Sequence, residues 1–169
     1  MNNPEYILVD EIGACVEATK TALALDTLLY QYGYITELKE VLEKYDKIQL
    51  QKFPLVWLSQ PFTVARNSFD YYGKAEIELF IINQSQVNKR APERMTDNFK
   101  AVIYPIVREL INQLAKSKAF RESTASKIEH KTTDRYYWGD TQQKIINDIF
   151  DCTHISGLKL TINNNKNCP

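Results

Sequence analysis

The sequence predicts an α+β fold: an antiparallel sheet of about four strands packed against one long helix, with further helices at the N-terminus. Three observations predict it. An apolar stripe at i, i+3, i+4, i+7 spacing runs through Met95, Phe99, Val102, Ile103, Ile106, Val107, Leu110, Ile111 and Leu114, the pattern of a helix that buries one face. Two β-prone apolar runs, Phe53 to Leu58 and Ile77 to Ile82, precede that stripe. Two more strand-like segments follow it, and strands in two pairs around one helix imply a sheet with helices on one face.

Residues 1–8 read as a loose start. Val9 to Leu29 reads as the first helix: Ile12, Val16, Leu23 and Leu28 share a stripe, and Ala14, Ala18, Ala22 and Ala24 raise its propensity. Tyr30 to Tyr34 breaks it, with Gly33 as the left-handed stop. Thr36 opens a shorter helix with Leu38, Val41, Leu42 and Tyr45 on its apolar side. Phe53 to Leu58 is a buried strand with Pro54 near its start, because proline cannot donate to a ladder. Gln60 to Gly73 reads as a long loop, and Ala75 to Asn83 as the central strand.

A polar connection leads into the long helix, Pro92 to Lys118. Pro92 suits its first turn. Pro105 kinks the rod, or splits it near Tyr104. Asp97, Lys100, Arg108, Glu109, Gln113 and Lys116 form the wet side. Lys127 to Trp138 reads as a strand or hairpin arm, Asp140 to Phe150 as a short helical turn, and Ile155 to Ile162 as the last strand. The Asn-rich end has no means to bury itself. The organisation is one domain over residues 1–163 and a disordered tail over 164–169.

A chain of 169 residues holds one good core and is short for two domains. Its 21 basic and 21 acidic side chains cancel, so no global basic field draws in nucleic acid. Their distribution is uneven. Residues 1–60 carry nine acids and five bases, a net of −4, and the remainder carries a net of +4. Such opposition steers head-to-tail self-association, although solubility alone also tolerates it. No basic n-region opens the chain, and no apolar run nears the ~20 residues that cross a bilayer. Cys15, Cys152 and Cys168 are scattered and odd in number, which fits a reduced, cytoplasmic origin rather than a disulfide framework.

Phosphate-cradle, dinucleotide, nucleophile-elbow and zinc-protease motifs are all missing. Cys152, His154 and His130 lack the close ligand spacing of a metal site, and read more plainly as a half-buried thiol and two surface imidazoles. A Cys15 or Cys152 nucleophile with a histidine base has nothing to bring it together. Asp148 and Asp151, one helical turn apart, face water or cap turns. The expectation is no enzyme, no catalytic residue, no metal and no cofactor. Arg66, Lys89, Arg90 and Arg94 gather around the two loops flanking the central strand. They form either a basic rim toward DNA or an acidic partner, or ordinary polar loops. Phe69, Tyr71 and Tyr72 are unusual aromatics for a solvated loop, and Tyr136, Tyr137 and Trp138 read as core or subunit-interface anchors, with base stacking the alternative.

Several blocks together carry a resemblance. They are Tyr32–Gly33–Tyr34 with Glu37–Leu38, then Phe53–Pro54–Leu55–Val56–Trp57–Leu58, Ile77 to Ile82, and Arg94–Met95 with Tyr104–Pro105–Ile106. Trp138–Gly139, Asp148–Ile149–Phe150–Asp151 and Gly157 to Ile162 complete the set. Over about residues 30–163 the chain resembles the tail-completion or tail-terminator proteins of long-tailed bacteriophages of Bacteroidetes hosts. The resemblance implies a virion structural protein of the neck and upper tail, assembled in the host cytoplasm into a homo-oligomeric ring, usually a hexamer. It implies contacts with the tail tube, possibly the sheath, and the head-neck connector or stopper proteins. DNA passes through the central hole without sequence specificity, and no membrane is involved. Under this reading the six aromatics above are subunit or neck contacts, and the four basic residues face the channel or an acidic partner. A head-completion or stopper protein, and a small nucleic-acid-binding protein, are the alternatives.

Overall fold

Strand β1 (Leu29–Tyr34) lies where the sequence suggested a helix stop, and it changes the sheet. The computed structural model describes residues 4–48, 51–66, 72–86, 88–121, 129–136 and 149–163. Helix α1 (Pro4–Leu23) ends six residues earlier than expected. Ala24, not Gly33, takes the left-handed position, with φ of 50°. The Leu25 N–H donates to Lys20 O at 3.0 Å and the Ala24 N–H to Thr21 O at 3.2 Å, the paired bonds of a Schellman stop. Alanine pays a Cβ penalty there. Ala24→Gly is therefore expected to stabilise the protein by about 0.5–1 kcal/mol, read as a higher urea midpoint with an unchanged slope.

Tyr30, Tyr32 and Tyr34 then alternate along β1, and α2 (Ile35–Lys47) follows at once. This helix carries the chain back so that β2 (Leu55–Arg66) pairs with β1 in parallel, a connection that antiparallel neighbours do not need. β2 and β3 (Tyr72–Gln84) form a long antiparallel pair. The expected loop from Gln60 is strand as far as Arg66. The ladder passes Pro61 through an irregularity between Ser59 and Thr63, which leaves that proline out of the regular pairing.

The long helix forms as predicted, as one 26-residue rod. It comprises α3 (Ala91–Arg94), a π-helical stretch (Met95–Ile103) and α4 (Tyr104–Lys116). Pro92 sits in its first turn, and the Arg90 N–H donates to the Glu93 carboxylate at 2.7 Å. Pro105 neither ends nor splits the rod. It falls in the first turn of α4, and the nine residues before it wind in the wider π register, which makes room for a ring that lacks an N–H. Phe99, Ile103, Ile106, Val107, Leu110 and Leu114 are buried, as the stripe required.

Strands β4 (Phe120–Arg121), β5 (Glu129–Tyr136) and β6 (Phe150–Asn163) complete the sheet. β6 starts at Phe150, which removes that residue from the expected helical turn, and the rest of that turn up to 148 lies outside the described residues. The order is β1-β2-β3-β6, with β4 and β5 both on the far side of β6. The sheet thus has six strands in five ranks and is mixed, not a four-stranded antiparallel one. β3 is central, as expected.

Helices cover both faces, not one. Val56, Leu58, Ile77, Leu79, Ile81, Ile155 and Leu160 join residues of α1 and the rod in one buried cluster. Leu55, Trp57, Phe80, Ile82, Phe150 and Cys152 meet Leu38 and Leu42 of α2 on the other face. Beyond α2 that second face is polar, with Glu78 3.3 Å from His154 and Glu76 3.7 Å from Lys159. The predicted tail over 164–169 lies outside the described residues.

Candidate functional site

The lateral edges of the sheet are its most distinctive surface. Among the described residues, no strand pairs with the outer side of β1 or the outer side of β5. Native edges are usually blunted by charge, proline or a bulge. β5 carries Glu129, Lys131, Asp134 and Arg135, and its pairing is irregular between Thr133 and Tyr136. β1 reads Leu-Tyr-Gln-Tyr-Gly-Tyr and carries none of these devices. Tyr32 is 49% exposed and Tyr34 52%.

The two edges stand level with each other. Tyr32 pairs with Leu58, Leu58 with Leu79, Leu79 with Ile155 and Ile155 with His130. The row below it runs Gln31, Trp57, Phe80, His154, Lys131. Two further rows start at Tyr30 and Leu29 and end at Thr132 and Thr133, and no register shift interrupts these four. Tyr30 is held differently from its exposed neighbours. It lies against Gly13, its hydroxyl donates to Val9 O at 3.0 Å, and burial, with Tyr32 and Asp10 adding, pushes its phenol pKa well up.

The basic residues do not gather. Arg66 pairs with Gly73 at one end of β3, and Lys89, Arg90 and Arg94 follow the other end. A 13-residue strand spans roughly 40 Å at about 3.3 Å per residue. Lys89 lies 2.5 Å from the Asp97 carboxylate. Arg94 is buried, and its guanidinium donates to Lys89 O, so it fixes the loop rather than lining a channel. Arg90 is exposed. The side chain of Arg66 lies outside the described residues.

The aromatic groups also separate. Tyr72, at the start of β3, pairs with Asn163, while Tyr136 pairs with Phe150 at the opposite end of the sheet. For both, the backbone is placed and the side chain lies outside the described residues. Phe69, Tyr71, Tyr137 and Trp138 fall outside the described residues altogether.

Sequence reasoning missed a buried polar tie beneath the Gln84 end of β3. Asn98 of the rod is 1% exposed and Asp151 of β6 is 0% exposed. The Asn98 amide donates to Asp151 Oδ2 at 2.5 Å and to Gln84 O at 3.0 Å. It also accepts from Asn83 Nδ2 at 2.6 Å. A polar residue inside an otherwise apolar stripe was the available signal. An open groove of about 810 Å³ lies at this end, lined by Gln51, Asn83, Gln84, Gln86, Asn88 and Lys89 among others. Its carboxamides neither donate protons readily nor act as nucleophiles.

Neither described cysteine is poised for chemistry. Cys15 and Cys152 are buried. Burial pushes the Cys15 thiol up, and a side-chain hydrogen bond with Ser117 draws it partly back. Burial, with the neighbouring Asp151 charge adding, pushes Cys152 up strongly. A nucleophilic cysteine needs the opposite shift. Among the described residues, no three His, Cys, Asp or Glu side chains are placed to hold a metal. Also among them, no helix is long and apolar enough to cross a membrane. No protein-family model matches this chain, and no curated protein matches it either.

Proposed function

We propose that this chain is a structural subunit that closes head to tail into a ring, caps a phage tail tube and joins it to the neck, as the tail-terminator resemblance implies. The observation that carries the reading is the charge layout along the sheet. α1, β1 and α2 at one edge carry eight acids and four bases, a net of −4, and the rod, β4, β5 and β6 toward the other carry six acids and eight bases, a net of +2. Two different edges that attract one another form a heterologous contact, and a heterologous contact that closes makes a ring. The thiols buried with raised pKa values support a role in assembly rather than in catalysis. DNA would pass through the opening without being read.

Light scattering on the purified protein, alone and with isolated tail tubes, tests the reading. The expected result is one closed oligomer, or rings seen at tube ends by electron microscopy. Association should weaken as salt is raised from 0.05 to 0.5 M, on the order of the screening length shrinking through that range. A monomer under every condition, with no binding to tubes, overturns it.

A further inference from the structure

We propose that β1 of one copy pairs antiparallel with the outer edge of β5 of the next, so that one sheet runs on from subunit to subunit. This deepens the ring reading and rests on it. Four independent features of the fold lead to this contact.

The first is availability. Among the described residues nothing pairs with the outer side of β1, which has no charge, no proline, and two tyrosines left about half exposed. An edge of that composition is a ready template for another strand. The second is direction. β1 and β2 are parallel, and each later pairing toward β5 is antiparallel. Counted across the ranks, β5 therefore runs opposite to β1. A neighbour added without turning over presents its β1 antiparallel to β5.

The third is register. The four unbroken rows put the two edges at one height, so an in-plane step along the sheet sets Tyr32 opposite His130 of the next copy. Gln31 then meets Lys131, Tyr30 meets Thr132 and Leu29 meets Thr133. The Tyr32 and Tyr30 rows face the rod side through Leu58, Val56, Leu79 and Ile81, and the Gln31 and Leu29 rows face α2 through Trp57 and Leu55. Helix layers thus continue from copy to copy on the correct sides. No like charges meet, and Tyr32 with His130 is an aromatic cross-strand pair of the favourable kind.

The fourth is selection against the wrong partner. Pairing β1 with β1 would bring two acidic ends together, because α1 and α2 beside it carry eight acids and four bases. β5 also sets charged side chains along its edge, which discourages pairing with its own kind.

Cysteine cross-linking in the full-length chain tests the contact. Tyr32→Cys and His130→Cys are combined on a Cys168→Ser background, with buried Cys15 and Cys152 retained. Within one molecule these positions are four ranks apart, about 19 Å at 4.8 Å per rank, far beyond disulfide reach. Between copies, directly opposite antiparallel residues lie about 4.5–5.5 Å apart at Cα, within that reach. Mild oxidation is expected to yield a denaturing-gel ladder from the double variant and monomer from each single variant. In parallel, Tyr32→Lys should weaken association at least tenfold by light scattering, with its melting temperature unchanged.

A ring that forms normally while the double variant gives no ladder overturns the β1–β5 contact and leaves the ring standing. Dimers from Tyr32→Cys alone overturn it too, in favour of like-with-like pairing. So does a Tyr32→Lys variant that assembles as tightly as the parent. If the parent protein never assembles, the ring reading falls first and this contact with it.

Discussion

Replacing Asn98 with leucine is expected to cost about 3–5 kcal/mol of stability, a large part of what a domain of this size possesses. Leucine keeps the four side-chain heavy atoms and the branching of asparagine, so packing is the smaller part of the cost. The loss is one of donors. Asn98 gives its amide protons to Asp151 Oδ2 and to Gln84 O, and Asp151 is wholly buried. Taking a donor from a buried carboxylate costs it one of its compensating hydrogen bonds, and Asn83 loses its acceptor in the same step. These bonds join the rod, β3 and β6, so the effect should be global. Urea unfolding measures it, and a loss under 1 kcal/mol would show the tie to be dispensable.

Gly33→Val should be the next most damaging change, at about 2–4 kcal/mol. Gly33 holds φ at 151°, where a β-branched residue is strained. A Cβ there would also run into the Glu37 carboxylate and stand 3.4 Å from the Trp57 ring. That carboxylate accepts from the Tyr34 N–H at 2.6 Å, the bond that turns the chain from β1 into α2. Thermal melting compares Gly33→Val with Gly33→Ala, which meets the same carboxylate with less bulk. Equal melting of Gly33→Val and the parent would mean that Glu37 swings away at no cost. Both variants should also impair assembly, because β1 is the edge they distort.

The rod was legible because its stripe is long and its period unambiguous: each of its six buried apolar residues was marked by spacing alone. Pro92 was legible for the same reason, as a residue with a fixed place in a first turn. β1 was not. Tyr30, Tyr32 and Tyr34 alternate as a strand should, but Gly33 beside a helical run looked like a stop, and the true stop fell on an alanine that no composition rule marks. With β1 hidden, the parallel pairing and the placement of α2 on the second face were hidden too, since both depend on a strand preceding that helix. β2 was cut short on paper by Pro61, which the chain accommodates with a local irregularity. The basic residues misled for a different reason. Loops that adjoin one strand in sequence look like neighbours, yet a straight strand of that length holds its ends apart. Their separation along the strand, and the burial of Arg94, were not visible in the sequence.

The uncharged β1 and the charged β5 have one more consequence. A subunit built this way has a front and a back, so under the proposed β1–β5 contact copies would queue in a single sense, each new arrival oriented by the one before it. A soluble strand that mimics the front would occupy every exposed back and halt the queue without touching the core. The two ends of any unfinished arc would therefore differ in what they accept.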